Sequence, residues 1–313
     1  MPTLTVVTDP RLRDLSALLA ATDWPEREQN PVPRGVHPLA AMLKKHVSPF
    51  RAHSAAVYLQ GVLAANSDPA PLFARALGDD PDLAGPLRSF AGAAELPVFW
   101  AEHESSWTQA VSEVRAQVDG LPFASFLDEL GEAPPAGLVI HPNVAYPTTH
   151  SFGVLTGGQA WSILPPRKAV GESKPWPFGD DRDYVARLAL HDFVQAQLSA
   201  VVSARPELIP PGENAERLPD AFRAEFPAWP AQVVEMFAYA AQVIFLNRLD
   251  DGAGDAFAMF ERRTRGFAIL PGLVDALTNY LAGRGLSAIY ANLEAYLPHF
   301  VREADRLLGE SQA

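Results

Sequence analysis

Along most of the chain, apolar side chains recur every three to four positions, the period that gathers them on one face of an α-helix. After Asp9-Pro10, Leu12, Leu15, Leu18 and Leu19 share such a face. A helix is therefore predicted there, with the aspartate placed to cap it and the proline suited to its first turn. Stretches near residues 38–47, 50–65, 69–77, 82–93, 99–118 and 121–130 repeat the pattern, separated by Pro, Gly, Asn and Asp. The N-terminal half is predicted to be mostly helical.

Four runs break this period. Thr3–Thr8 (TLTVVT), GLVIHP from Gly137, SFGVL from Ser151 and AWSILP from Ala160 are short and β-rich, bounded by Pro142, Gly157-Gly158 and Pro165-Pro166. They predict a small sheet, and a tight hairpin accounts for the glycine pair without any ligand. Residues 165–180 have turn composition, after which Asp180 or Asp181 is placed to cap a long helix reaching about Ala204. A Pro-rich loop over 205–230 leads to a helix near 231–249 that is apolar around most of its circumference, the mark of a buried helix. Helices near 254–264, 271–282 and 286–308 follow, the last with Ile289, Leu293, Tyr296, Leu297, Phe300, Val301 and Leu308 along one side.

The expected fold class is α+β, predominantly helical, with a small mixed or antiparallel sheet. No internal repeat occurs and no linker demands a separate domain, so one domain over 1–313 is expected. Its approximate lobes are 1–134, helical, and 135–313, with the sheet and further helices. A site would most naturally lie between two lobes.

Composition narrows the function classes. The chain has 25 Lys and Arg against 37 Asp and Glu, a formal charge of −12 with the basic residues dispersed. A phosphate-tracking surface needs the opposite balance, and Lys44-Lys45-His46 is too short to supply one, so no nucleic-acid partner is expected. The absence of cysteine removes disulfides, thiolate zinc sites, iron–sulfur clusters and thiol nucleophiles, so any metal must be held by His, Asp or Glu. The longest apolar stretch, Met236 to Leu246, is interrupted by Gln242 and falls short of the ~20 residues of a membrane helix. With an N-terminus that turns polar within a few residues, no membrane partner and a cytoplasmic location are expected. Phosphate-loop, dinucleotide-binding and nucleophile-elbow motifs do not occur. Trp100, Trp107, Trp161, Trp176 and Trp229 are read as core residues, since large aromatics fill cores more often than they line grooves.

The helix DYVARLALHDFVQAQLSAVV carries the most informative chemistry. His191 and Gln195 are four apart and share a face, the spacing of a zinc helix. An H-E-x-x-H motif sets two imidazoles on one metal while its Glu activates the bound water. Here the string reads His191-Asp192-Phe193-Val194-Gln195. An amide is a weak neutral ligand and Asp is one methylene shorter than Glu, so both ligation and base geometry are compromised. On residues alone, His191 reads as a histidine hydrogen-bonded on a buried helix face. Glu235, in an apolar helix, must find a partner or solvent, because an unpaired buried carboxylate is costly. His141 and His150, with Asn143 and Tyr146 between them, are candidate replacement ligands without ligand periodicity. Glu102-His103-Glu104 reads as a solvated helix face, with a hard-metal or proton-relay group as the alternative.

The order of these features resembles a bacterial domain-of-unknown-function family of zincin-like, gluzincin-type metallopeptidases. The resemblance rests on VVTDPRLRDLSALL, PFRAHSAAVYL, GLVIHPNVAYPTTHSFGV, the His191 helix and the closing RGFAILPGLVDALTNYLAGRGLSAIYANLEAYLPHF. Gly266-Phe267, Tyr280, Arg284, Tyr290 and the Leu297-Pro298 break are its most specific part. It implies a zincin-like two-lobed domain, an intact H-E-x-x-H in family members and a third, acidic ligand on a later helix. His191 matches the first ligand, Asp192 stands at the water-activating Glu, Gln195 replaces the second His and Glu235 matches the third ligand.

The resemblance and its departures together imply a vestigial site. Neither catalysis nor a bound metal or other cofactor is expected, with His191 and Glu235 paired across the former metal position and a cleft kept for peptide or protein binding. Two alternatives stand beside this reading. One is an active zinc metallohydrolase in which His191, Glu235 and a non-local His, His141 or His150, hold zinc with Asp192 as base. The other is a structural or interaction protein with no inherited site.

Overall fold

Asp9 accepts a hydrogen bond from the Arg11 backbone N–H at 2.9 Å and Pro10 occupies the first turn, so the helix Pro10–Ala20 begins where local chemistry places it. The computed structural model describes residues 2–28, 37–66, 68–131, 135–146, 150–167, 178–283 and 290–310. Over these, helices dominate and four strands form one mixed sheet, an α+β fold that is predominantly helical. The strands are β1 (Thr3–Val6), β2 (Gly137–Pro142), β3 (Phe152–Thr156) and β4 (Gln159–Leu164), in the order β1-β2-β4-β3.

β2 and β4 run parallel, Gly137 facing Gln159 and Pro142 facing Leu164. β3 and β4 are antiparallel and meet at Thr156 and Gln159 across Gly157-Gly158, whose φ angles of 57° and 74° are those of a primed hairpin turn. The Val7 N–H donates to the Ile140 carbonyl at 3.1 Å and the Thr5 hydroxyl to that of Leu138 at 3.5 Å, so β1 advances beside β2 in the same direction. Every residue of β2 is buried, which accounts for its continuous apolar run in place of an alternating one.

The chain divides into two compact units that interleave in sequence. One comprises Leu4–Leu121 with Gly137–Ala189 and contains the sheet. Its core holds Trp107, edge-on to Trp100 at 5.9 Å, and Phe73, edge-on to Phe152 at 5.0 Å. Arg13 lies over the Trp107 ring at 4.4 Å and ties Glu104 by two hydrogen bonds of 2.6 and 3.2 Å.

The other unit comprises Met1–Thr3, Pro122–Ala136 and Leu190–Ala313. At its centre is the helix Trp229–Leu249, buried at every position from Gln232 to Leu246, hence apolar all round. Phe245 stacks on Phe123 at 5.1 Å, and Phe237 meets Phe300 edge-on at 5.0 Å. Tyr280 stacks on Tyr296 at 4.1 Å and donates its hydroxyl to the Leu130 carbonyl at 2.9 Å.

Several boundaries differ from the sequence reading. The stretch 99–118 is two helices, Leu96–Glu102 and Glu104–Val118, with His103 between them at φ −113°, ψ 12°. The short helices Trp24–Glu28 and Asp220–Glu225 were not anticipated, since neither spans enough turns to show a period. The helix Leu293–Glu310 runs through Pro298 without the break read at Leu297-Pro298, with Leu297, Phe300 and Val301 all buried around it. Trp176, Arg284 and Ile289 lie outside the described residues. Among the described residues no helix is long and apolar enough to cross a membrane.

Candidate functional site

The helix Arg182–Ala204 starts at Asp181, whose Oδ1 accepts the Tyr184 N–H at 2.9 Å, the capping role anticipated for Asp180 or Asp181. Four-residue spacing sets His191 and Gln195 on one face, and both reach Glu235 on the Trp229–Leu249 helix. His191 Nε2 lies 2.8 Å from Glu235 Oε2, and the Gln195 amide donates to Glu235 Oε1 at 2.6 Å. His191 Nδ1 is 3.4 Å from Asp192 Oδ1. Glu235 is 2 % exposed, Asp192 fully buried and the His191 side chain 12 % exposed.

The electrostatics follow from this burial. Desolvation by itself lowers the pKa of His191, but the Glu235 charge and the hydrogen bonds to Asp192 and Glu235 outweigh it and raise it to about 10. At neutral pH the ring is therefore an imidazolium with N–H on both nitrogens, and Glu235 has an N–H donor on each oxygen.

Tyr239, one turn beyond Glu235, meets His191 edge-on with centroids 5.7 Å apart. Its oxygen accepts a hydrogen bond from Arg265 at 2.8 Å, and burial pushes the phenol far above its usual pKa, so it stays neutral. Arg265 in turn pairs with Glu261 at 3.3 Å.

A zinc site needs a neutral imidazole and deprotonated donors with lone pairs to spare. Here His191 Nε2 faces one Glu235 oxygen, the other accepts from Gln195, and Gln195, a weak neutral ligand in place of an imidazole, presents its NH2 toward the carboxylate. Among the described residues no group of three or more His, Asp and Glu side chains is arranged to hold a metal ion.

The remaining candidates are placed elsewhere. His141, in the unit that contains the sheet, accepts the Asp9 backbone N–H on Nδ1 at 3.2 Å and lies 6.0 Å from the Trp107 ring. Burial pulls its pKa down to about 3, so the ring is neutral. Asn143 donates to the Ser16 hydroxyl at 2.9 Å, and His150 is exposed just before β3. In the Glu102-His103-Glu104 group, Glu104 is committed to Arg13 and the His103 ring packs on Phe99 at 4.5 Å. Lys44 pairs with Glu26 at 2.6 Å. Trp100, Trp107 and Trp161 are buried, while Trp229 donates to the Pro210 carbonyl at 2.8 Å.

Sequence reasoning brought forward His191, Asp192, Gln195 and Glu235 and missed Tyr239 and Arg265. A weak signal existed for Tyr239, four residues after Glu235 on the same helix, whereas Arg265 reaches it only through tertiary packing. No family model, curated protein or solved structure matches this chain.

Proposed function

We propose that the chain is a non-catalytic relative of the zincin-like metallopeptidases, in which a buried imidazolium–carboxylate pair takes the place of the metal centre. The role left to such a domain is recognition of a peptide or protein without hydrolysis. One observation supports this reading: His191 and Gln195, at the two ligand positions of the motif, both donate to Glu235, at the third. Residues that would share an ion instead satisfy one another.

Metal analysis of the purified protein with a peptide or casein hydrolysis assay tests the proposal. The expected result is sub-stoichiometric zinc and no turnover. Stoichiometric zinc with turnover abolished by His191→Ala would overturn it. A gain-of-ligand variant, Asp192→Glu with Gln195→His, restores the motif and should bind zinc about two orders of magnitude more tightly than the parent chain.

A further inference from the structure

A second feature lies in the unit that contains the sheet. A pocket of about 250 Å³ opens between the helices Pro38–Val47 and Glu104–Val118. Its apolar wall is formed by Leu39, Ala110, Val144 and Phe178, all buried. Val144 lies two residues past the end of β2, where the Asn143 N–H closes onto the Leu164 carbonyl at 2.8 Å. The pocket thus lies just past the carboxyl end of β2.

Its polar side is sparse and mostly uncharged. The His37 ring accepts the Leu39 N–H on Nδ1 at 3.1 Å, capping its helix, and burial lowers its pKa to about 4, so it is neutral. Glu113 is the only charged side chain among the described lining residues. Gln109 donates to its Oε1 at 2.7 Å, and its Cγ lies 3.4 Å from where a Cβ at Gly179 would stand. The Gln117 amide holds the Gly179 carbonyl at 2.8 Å and fixes that turn against the same helix. A carboxylate has about four lone-pair sites, so Glu113 can accept further N–H donors beyond Gln109.

We infer that this pocket is a binding site for a small amphiphilic cation, a primary amine whose apolar body sits against Leu39, Ala110, Val144 and Phe178 and whose ammonium pairs with Glu113. Three points carry the choice of class. The volume suits a small molecule and not a chain segment, the wall is apolar, and the one charged group among the described lining residues is negative in a chain whose formal charge is −12.

Titration of the full chain with phenethylamine, followed by amide NMR, tests the inference against two isosteres, neutral 2-phenylethanol and anionic 3-phenylpropionate. Saturable shifts at Leu39, Ala110 and Val144 are expected, with a Kd of about 1 mM or tighter. The alcohol and the acid should bind at least ~10-fold more weakly, as should phenethylamine to Glu113→Gln, since a charge-assisted pair is lost. Ala110→Leu, which fills the pocket while leaving the carboxylate, should abolish binding in a protein whose circular dichroism is unchanged. The inference is overturned by absence of saturable shifts, by shifts confined to other parts of the chain, or by equal binding of all three probes. Retained affinity in Glu113→Gln overturns it as well.

Discussion

His191 Nε2 and Glu235 Oε2 stand 2.8 Å apart between two helices, and each offsets much of the cost of burying the other. A lone carboxylate at 2 % exposure would carry a large desolvation cost, and so would a lone imidazolium. The charges are retained because they are mutual, with Gln195 supplying the second donor that Glu235 needs.

The alkaline limb of stability should report this pair. The folded-state pKa of His191, about 10, lies above the ordinary histidine value near 6.5. The folded state therefore binds the proton more tightly, so its contribution is complete below about pH 6.5 and is lost as pH rises toward 10. Urea unfolding between pH 6 and 10 should show a decline of up to about 1.4 kcal/mol per pH unit from this group. His191→Gln should start less stable and show a flatter decline over the same window. Parallel slopes for the two proteins would contradict a protonated His191.

Removing one partner should cost more than removing the whole group. Glu235→Leu takes away the acceptor of His191 Nε2 and leaves the imidazolium only its longer 3.4 Å contact to Asp192, and a broken buried pair costs roughly 3–5 kcal/mol. Replacing His191 and Glu235 by Leu together with Asp192 by Asn removes all three buried charges of the group and should be milder than Glu235→Leu alone. Denaturant midpoints for the two proteins decide the matter, and a triple variant less stable than the single one would show that the pair is net stabilising.

How far the sequence carried this reading depends on how local each signal is. Leu12, Leu15, Leu18 and Leu19 mark their helix by period alone, and GLVIHP announces a strand covered on both faces. Gly157-Gly158 announces a hairpin because both positions need φ > 0. The parallel pairing of β2 with β4 is not legible, since nothing within either strand names a neighbour across an intervening hairpin strand. In the site, spacing puts His191 and Gln195 on one face. The Trp229–Leu249 helix is apolar on every side, however, so no periodicity tells which face carries Glu235 toward them. The meeting of Tyr239 with Arg265, 26 positions apart, depends on how the chain packs and leaves no trace in either local pattern.

The acid limb should report a different histidine with the opposite sign. Burial lowers His141 to about 3, so the unfolded chain, near 6.5, binds its proton more readily. Stability is then lost as pH falls from about 6.5 toward 3, by about 1.4 kcal/mol per unit from this group. His37, held at about 4 by burial, acts in the same direction. The Asp9 carboxylate, which keeps a lowered pKa against its own burial through Arg11, adds its loss only further into acid. Urea midpoints from pH 7.5 to 4.5 should fall less steeply in His141→Gln than in the parent chain. An unchanged slope would mean that the ring is protonated in the fold.

The close approach of the helices Trp229–Leu249 and Ala253–Arg265 depends on a missing methyl group. Around Gly254 the turn is tied by Asn247, whose Oδ1 accepts the N–H of Gly254 at 2.8 Å and of Asp255 at 3.2 Å. A Cβ at Gly254 would stand 2.1 Å from the Val243 carbonyl oxygen, a backbone atom that cannot move aside cheaply. Gly→Ala within a helix ordinarily gains up to about 1 kcal/mol, but the clash reverses the sign, and Gly254→Ala should destabilise by about 2 kcal/mol or more. Gly61, in the helix Ser54–Ala65, is the control, because its added Cβ would meet nothing within 4 Å. There the same substitution should stabilise by roughly 0.5–1 kcal/mol. Chemical denaturation of the two variants should therefore move the midpoint in opposite directions, and a neutral Gly254→Ala would mean that the two helices are not packed this closely.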